Sequence, residues 1–270
     1  MAINFHREGS GPPLVLLHGI GFHWQAWQPV IGHLSGHFDV IACDSPGFGR
    51  SDPLPDGVDP TVRAYADAFE AWFAEMGLDR PHVAGNSMGG AIGLELADRA
   101  AVASATAFSP AGFWSGPELR YTQLSLGVIA HTPHPFRAPV LALSRRKAAR
   151  ALLFAQLFGK PRQIPDDEAE GALRDAWASP AFGPALEAFN RSTYAPPAGD
   201  GRDAPGGRAP VTVAWAKGDR LLPYRLQAPR ARRLLPDARH LTIGTGHIPS
   251  FDDPDAVAAV IRSAAAEGAG

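Results

Sequence analysis

Three residues of the chain, far apart in sequence, have the side chains that nucleophilic catalysis requires. Ser87 stands in Gly85-Asn86-Ser87-Met88-Gly89, a G-x-S-x-G pentapeptide between a short apolar run and a stretch with helical spacing. A serine hydroxyl becomes a good nucleophile when a histidine takes its proton, and a carboxylate must orient that histidine. Asp219 and His247 come later in the chain, each shortly after a strand-like run. We therefore predict Ser87 as the nucleophile, His247 as the general base and Asp219 as the orienting acid.

The pentapeptide by itself is a moderate signal. Three fixed positions at average Gly and Ser usage occur by chance in roughly one chain in ten of this length. Its context is more informative, because a serine in a strand-to-helix turn is held in a strained backbone conformation that exposes its hydroxyl. Gly85 and Gly89 fit this interpretation, since a Cβ at either position would clash across so tight a turn.

A sheet must position these residues. Short apolar runs typical of buried strands lie at residues 14–17, 38–42, 81–84, 101–108, 211–215 and 239–243. Helical patterns lie between most of them, and the clearest, at residues 64–73, carries aromatic side chains three and four apart on one face. This alternation predicts an α/β fold, in which a mostly parallel, twisted sheet has helices on both faces.

The alternation breaks between residues 111 and 210, where the pattern predicts several helices and no clear strand. Residues 145–158 are predicted as one helix and residues 166–177 as another, the second opened by acidic residues after Pro165. Residues 196–207 are rich in Pro and Gly and are predicted as a loop or linker. We predict a core of residues 1–110 and 206–270, interrupted by a helical cap insertion of residues 111–205.

Composition limits the classes of protein and of partner. The chain has 270 residues, 45% of them hydrophobic, which suits one large α/β domain with an insertion. A formal net charge of −2 argues against nucleic acid or an acidic membrane as partner. Cys43 is the only cysteine, so no intramolecular disulfide can form. We see no signal-peptide pattern and no run of ~18 apolar residues, so we expect a cytoplasmic protein without a transmembrane helix.

Four motifs together resemble the α/β-hydrolase superfamily. They are His18-Gly19 after the first apolar run, a D-x-x-G-x-G-x-S segment at residues 44–51, the serine pentapeptide, and Gly246-His247. The resemblance spans residues 14–253 and is to cap-bearing serine hydrolases, of the carboxylesterase-like or carbon–carbon hydrolase-like kind. It implies the α/β-hydrolase fold, a small-molecule substrate, and neither a cofactor nor a metal.

The resemblance also implies an oxyanion hole made by two backbone N–H groups, those of Ile20 and Met88. The loop of residues 18–23, which carries Ile20, is called the oxyanion loop. His18 is expected to pack its ring under this loop rather than to transfer protons. Phe113 and Trp114 follow the apolar run 101–108 and are candidate substrate contacts.

Other positions in the sequence could supply the carboxylate that orients His247. In this fold a carboxylate can also follow the run that ends at Phe108, but Ser109 and Pro110 stand there, which favours Asp219. Asp252 and Asp253 are too close to the histidine in sequence to replace it easily.

Several reactions are compatible with these residues. A serine at this turn argues against the dehalogenases and epoxide hydrolases that the chain resembles, because those carry Asp there. The pentapeptide looks like that of carbon–carbon bond hydrolases, but residues 18–23 lack their Gly-Pro-Gly and Ile248 stands where they tend to carry Trp. We expect a small to medium, largely apolar ester as substrate and an acyl-serine intermediate. Alternatives are carbon–carbon bond hydrolysis, cofactor-free haloperoxidase or perhydrolase chemistry, and a non-catalytic ligand receptor of the same fold.

The sequence does not determine how many strands form the N-terminal edge of the sheet. Only about a dozen residues precede the run 14–17, which leaves room for one short strand at residues 3–7. Proteins of the superfamily usually begin with a hairpin of two strands.

Overall fold

One sheet of seven strands forms the centre of the molecule. The computed structural model describes residues 1–189, 193–195 and 208–268. In chain order the strands are β1 (Phe5–Gly9), β2 (Pro13–Leu17), β3 (Asp39–Cys43), β4 (His82–Asn86), β5 (Ser104–Phe108), β6 (Val211–Ala216) and β7 (Arg239–Ile243). Their order across the sheet is β1-β3-β2-β4-β5-β6-β7. Neighbouring strands are parallel, except that β1 runs antiparallel to β3.

Helices connect the strands. Before β5 they are α1 (Gln28–Leu34), α2 (Val62–Glu75) and α3 (Met88–Asp98). Between β5 and β6 they are α4 (Gly116–Ala130), α5 (His134–Ser144), α6 (Lys147–Leu153), α7 (Asp166–Ala178) and α8 (Phe182–Phe189), which we call the inserted helices. After β6 they are α9 (Tyr224–Leu234), α10 (Pro249–Asp252) and α11 (Pro254–Gly268).

The central strands are apolar throughout because both faces of the sheet are covered. In β2, Val15 and Leu17 point into a core that contains α2 and α3, whereas Leu14 and Leu16 point into a second core with α1 and α11. All four side chains are fully buried, as expected for a parallel sheet with helices on both faces. The predicted fold class, an α/β-hydrolase sheet with a helical insertion, is confirmed.

The sequence did not determine whether one or two strands form the N-terminal edge of the sheet. In the described residues one strand, β1, forms this edge. In the described part of the chain no strand precedes β1, which begins at Phe5, two residues later than predicted, and pairs with β3 from Phe5 opposite Cys43 to Gly9 opposite Asp39. The sheet therefore begins with one antiparallel strand instead of a hairpin of two.

One helix prediction in the insertion was wrong. Residues 145–158 do not form a single helix, because α5 ends at Ser144, Arg146 is extended, and α6 covers only Lys147–Leu153. The chain then turns, and the carbonyl of Leu157 accepts a hydrogen bond from Ile248 N at 2.8 Å.

Two further patterns in the insertion, an acidic helix start and a basic run, compare differently with the structure. Helix α7 covers the predicted residues 166–177, with three acidic residues in its first turn. The basic residues Arg145, Arg146, Lys147 and Arg150 are typical of a solvated helix face. Arg150 departs from this pattern, because its side chain is only 1% exposed and forms an ion pair with Asp166.

The division into core and cap stays a prediction. Between β5 and β6 the described residues contain helices and no strand, as the pattern indicated. The predicted linker 196–207 and the boundary at residues 205 and 206 lie outside the described residues. None of the helices that the structure describes is long and apolar enough to cross a bilayer.

Candidate active site

Ser87 occupies a sharp turn between β4 and α3. Its backbone angles, φ 55° and ψ −111°, lie in a region that non-glycine residues rarely adopt. The turn is held from both sides: Ser87 N donates to the carbonyl of Phe108 at 2.9 Å, and Ser87 O accepts from Ala111 N at 3.0 Å. The surrounding structure therefore imposes the strain that aims the hydroxyl away from the sheet.

The two glycines of the pentapeptide are required by contacts. A Cβ at Gly85 would lie 2.1 Å from the carbonyl oxygen of Gly89, and a Cβ at Gly89 would lie 2.2 Å from that of Leu17. Both contacts are with backbone, which cannot move aside cheaply. The clash expected from the sequence is thus a property of the folded turn.

His247 and Asp219 form a buried pair above the same edge of the sheet. His247 Nδ1 lies 2.7 Å from Asp219 Oδ2, and the two side chains are 4% and 0% exposed. The other carboxylate oxygen, Oδ1, accepts backbone N–H groups from Leu221 at 3.0 Å and Leu222 at 2.7 Å. Asp219 is therefore fixed on both oxygens and holds the ring with Nδ1–H toward itself, which leaves Nε2 as the nitrogen able to accept a proton.

Ser87 and His247 line the same pocket. Asn86, next to the serine, ties the two parts together, because its Nδ2 donates to the carbonyl of His247 at 2.8 Å. Among the described residues no hydrogen bond joins the Ser87 hydroxyl to His247. Such bonds are often long in ligand-free enzymes and shorten when substrate binds.

Asp252 anchors the histidine loop, a role that the sequence analysis did not foresee. Its Oδ2 accepts N–H groups from Gly246 and Gly159, each at 2.7 Å, and its Oδ1 accepts from Lys160 N at 2.9 Å. The carboxylate thereby joins the residue before His247 to the segment after α6. A sequence signal existed only as the nearness of Asp252 to the histidine, which suggested a competing acid instead of an anchor.

The two amides predicted to form the oxyanion hole are at the same edge. Met88 is the first residue of α3, whose N–H groups have no partner within the helix, and Ile20 lies in the turn after Gly19. In the described part of the chain neither N–H donates to a backbone carbonyl outside the regular elements. The turn is fixed by its neighbours, since Gly89 N donates to the carbonyl of His18 at 3.1 Å.

His18 has the structural position that the sequence predicted. Ser45 N donates to its Nε2 at 2.8 Å, so Nδ1 carries the hydrogen that is donated to the carbonyl of Gly19 at 2.7 Å. Burial lowers the pKa of His18 to about 4, which keeps the ring neutral near pH 7. A neutral ring with both nitrogens engaged holds the loop that carries Ile20.

Two apolar pockets meet at Ser87. The first, which we call the His247-side pocket, has an empty volume of about 520 Å³. Its wall includes His247 and the apolar side chains Leu126, Ile129, Phe154, Leu157, Leu173 and Phe182. The second, the Trp114-side pocket, has about 370 Å³ and includes Met88, Trp114, Leu119, Leu186 and Phe189. Ile20, Ser87, Leu126 and Leu221 belong to both walls.

The two candidate substrate contacts have different surroundings. Trp114 lines the second pocket. Phe113 lines neither pocket; it is fully buried, with its ring 4.9 Å from that of Tyr194 and 6.0 Å from that of Trp215. Its position does not support a substrate contact, because consecutive residues after β5 send their side chains in different directions.

A second histidine–aspartate pair was missed by the sequence analysis. His23, at the end of the oxyanion loop, is hydrogen-bonded through Nε2 to Asp175 of α7. Burial lowers the pKa of His23, but the hydrogen bond and charge of Asp175, with the charges of Asp44 and Glu168, outweigh burial and raise it above its ordinary value. No local pattern links residues 152 positions apart, so only the fold reveals this pair.

Comparison with known proteins agrees with this architecture. A model of the alpha/beta hydrolase family matches residues 14–260. The chain therefore belongs to the alpha/beta hydrolase family.

Individual relatives vary in chemistry. Epoxide hydrolase EphH of Mycobacterium tuberculosis is 28% identical over 208 residues, which are 73% of this chain and 92% of that protein. A thermophilic esterase from Thermogutta terrifontis has a similar fold, with a TM-score of 0.72 at 21% identity over 98% of this chain and 93% of that one. A meta-cleavage product hydrolase from Pseudomonas fluorescens IP01 has a TM-score of 0.74 at 20% identity over 98% and 94%. These likenesses show a shared fold, and the chemistry must be argued from the site.

Proposed function

We propose that the protein hydrolyses small to medium, largely apolar carboxylic esters through an acyl-serine intermediate. One observation carries the proposal: the strained Ser87 shares an apolar pocket with His247, whose ring is held by a buried Asp219. Nucleophile, base and orienting acid thus converge at one edge of the sheet, in the arrangement that acyl transfer requires.

In the first half of the reaction, Ser87 Oγ attacks the ester carbonyl while His247 Nε2 takes its proton. The carbonyl oxygen becomes an oxyanion, which the Ile20 and Met88 N–H groups stabilise; one such donor contributes about 3 kcal/mol in serine hydrolases. Met88 stands at the N-terminus of α3, so the helix dipole also favours negative charge there. Asp219 stabilises the imidazolium that forms.

In the second half the intermediate collapses. His247 gives its proton to the leaving alkoxide, the alcohol departs, and the acyl group stays on Ser87. Water then attacks the acyl-serine while His247 accepts a proton from it. The bond between the acyl carbon and Ser87 Oγ breaks, Oγ takes the proton back from His247, and the acid is released.

In this mechanism the two pockets hold different parts of the ester. His247 must reach the leaving oxygen, and it lines only the first pocket, so the alcohol part of the ester occupies the His247-side pocket. The acyl part occupies the Trp114-side pocket, whose wall includes Met88. The inserted helices contribute to both walls and act as a cap over Ser87.

The walls also favour neutral substrates. In the described residues neither pocket wall contains Lys or Arg. A buried carboxylate without a cationic partner is strongly unfavourable, which argues against acidic ring-cleavage products and for simple esters.

The decisive test is acylation of Ser87. The Ser87→Ala variant should lose turnover of p-nitrophenyl butyrate with little change in its thermal unfolding temperature, and wild-type protein should gain the mass of one butyryl group in rapid-quench mass spectrometry. Ser125→Ala is the matched control, since Ser125 lies on α4 and lines neither pocket, and its hydroxyl donates to the carbonyl of Tyr121 and accepts from Gln156 Nε2. Full activity of the Ser87 variant would overturn the proposal, and tight ester binding without turnover would favour a receptor.

A further inference from the structure

Helices α4, α5 and α6 concentrate the exposed apolar side chains of the molecule. Ten large apolar side chains are exposed in the described part of the chain, and seven of them lie between residues 121 and 153. These seven, which we call the α4–α6 surface, are Tyr121, Leu124, Val128, Phe136, Leu143, Leu152 and Leu153. Val128 and Leu152 are 75% and 82% exposed, so they are not the rim of a core. Single exposed apolar residues are ordinary, but such a concentration marks a surface that binds a partner.

The three helices that carry this surface are joined to one another. In the turn after α6, Gln156 Nε2 donates to Tyr121 Oη at 3.0 Å and to Ser125 Oγ at 3.3 Å, which holds the end of α6 against α4. Just beyond the end of α4, the carbonyl of Thr132 accepts from Arg137 Nε of α5 at 3.2 Å. Helices α5 and α6 also pack on each other. The exposed apolar side chains therefore belong to one connected part of the molecule.

The segment that forms this surface is strongly basic. Residues 119–163 contain eight Lys or Arg and no Asp or Glu, so all 27 acidic residues of the chain lie outside it. The formal net charge of −2 argued against an acidic membrane as partner, but net charge averages over this uneven distribution.

Some of these cations are neutralised by helix α7. Arg145 forms an ion pair with Glu170, and Arg150 forms one with Asp166. These pairs fasten the inserted helices together and leave little charge for a partner.

Three other cations are available to a partner. Arg120, Arg146 and Lys147 are exposed, and none of them forms an ion pair with another described residue. Arg120 lies on the same face of α4 as Leu124, one turn before it, and the other two stand at the junction of α5 and α6. Free positive charge therefore borders the exposed apolar side chains.

This combination fits an anionic lipid surface. Lipid phosphates attract the cations, and the acyl region accepts the apolar side chains. A second copy of the chain, meeting this surface face to face, would instead bring like charges together. We propose that the α4–α6 surface docks on membranes that contain anionic phospholipids. Docking at the interface needs no helix that spans the bilayer.

Docking would bring the candidate active site close to a source of apolar esters. Leu126 and Ile129 of α4 line the His247-side pocket, while Leu124 and Val128 of the same helix are exposed. One helix thus separates the pocket from the docking surface. The inference goes beyond the proposed function and does not depend on acylation of Ser87.

The first test is flotation of the full chain with vesicles of phosphatidylcholine alone or of an equimolar mixture with phosphatidylglycerol. We expect strong binding to the mixed vesicles, weak binding to phosphatidylcholine, and release as NaCl is raised from about 0.1 M to about 1 M, which shortens the Debye length from about 10 Å to about 3 Å. No binding to the mixed vesicles, or equal and salt-independent binding to both kinds, would overturn the inference.

A pair of charge variants locates the contact. Arg146→Gln combined with Lys147→Gln should lower the partition coefficient on mixed vesicles about tenfold to thirtyfold. The matched control combines Arg232→Gln with Arg233→Gln, which removes two adjacent exposed cations from α9. Equal losses in the two double variants would show that net charge alone, and not this surface, causes binding.

A pair of leucine variants tests insertion of the apolar side chains. Leu152→Ser should lower the partition coefficient about tenfold, because the most exposed apolar side chain of the surface no longer enters the lipid. Leu226→Ser is the matched control, since Leu226 is an exposed leucine on α9, outside residues 119–163. Equal partition coefficients for these two variants would refute insertion.

Two further measurements separate the outcomes. Light scattering without vesicles must show a monomer; a dimer that Leu152→Ser disrupts would overturn lipid docking in favour of self-association. Ser87→Ala should bind vesicles as the wild type does, because Ser87 is not part of the surface. If a surface variant does not fold, the wild-type comparison of the two vesicles still decides, whereas full esterase activity of Ser87→Ala refutes only the proposed function.

Discussion

Two of the histidine–aspartate pairs that the structure describes differ sharply in their surroundings. His247 and Asp219 are almost completely buried, at 4% and 0% exposure, whereas His23 and Asp175 are 16% and 34% exposed, where the oxyanion loop meets α7. His247 of the buried pair lines an apolar pocket with Ser87, and Asp219 lies behind the ring. The second pair lines a polar cleft, in which the described wall residues include carboxylates but no hydroxyl or thiol. A hydrogen-bonded histidine and carboxylate need a nucleophile in a dry pocket to act in catalysis, and among the described residues only His247 of these two pairs has a candidate nucleophile, Ser87, in its pocket.

The carboxylates of the two pairs are also fixed differently. Asp219 accepts two backbone N–H groups on the oxygen that does not contact histidine. Around His23 the extra charges come from side chains, since Asp44 and Glu168 both raise its pKa. The first arrangement fixes the orientation of the His247 ring, and the second favours a held imidazolium that joins the loop to an inserted helix.

The largest expected difference between the pairs is in catalysis. If His247 is the base that we propose, Asp219→Asn should lower kcat for p-nitrophenyl esters by about 10⁴-fold, because an amide favours the wrong tautomer of the His247 ring. Asp175→Asn should leave kcat at pH 7 nearly unchanged. Stopped-flow measurement of acylation checks both, and a comparable loss in the two variants would show that the second pair also takes part in the chemistry.

A smaller effect should follow from loosening the histidine loop. Asp252→Asn removes an acceptor shared by Gly246 and Gly159, so His247 is held less well, and kcat should fall about tenfold to a hundredfold with KM changing less. Asp253→Asn is the control, since the Asp253 carboxylate accepts from Ala256 N at the start of α11 and, among the described residues, from no N–H of the histidine loop. Equal kcat values in the two variants would refute an anchoring role for Asp252.

The smallest effect concerns stability and pH. The pKa of His23 is raised in the folded state, so its ion pair with Asp175 stabilises the fold fully below the unfolded-state pKa of about 6.5 and loses this contribution as pH rises through the folded value. Asp175→Asn should therefore lower the free energy of unfolding at pH 5.5 by about 1 kcal/mol, and by less at pH 8.5. Urea unfolding at the two pH values measures this, and an equal loss at both would contradict the charged pair.

Much of the fold was predictable because the patterns are local. The run 239–243 coincides with β7, and the pattern at 64–73 lies within α2. Prediction failed in the inserted helices, where helical spacing continues but the backbone does not. The helix expected over residues 145–158 is divided into shorter segments, and Leu157, near its predicted end, is bonded to Ile248 instead.

The candidate site likewise has some residues that local motifs predict and others whose roles depend on distant contacts. The order and types of Ser87, Asp219 and His247 were evident from motifs, and the structure places Ser87 and His247 at one pocket with Asp219 behind the ring. The anchoring role of Asp252 was not evident, because it depends on Gly159, 93 residues away.

The sequence by itself determined the strand–turn–helix around Ser87 and the chemical groups available, since glycine spacing and apolar runs act over a few residues. Only the tertiary structure decided that Trp114 lines a pocket and Phe113 does not, and that His23 pairs with Asp175 across 152 positions. The physical reason is the distance along the chain over which each kind of interaction acts. Backbone preference is set by near neighbours, whereas the direction of a side chain and its partner are set by how distant segments pack.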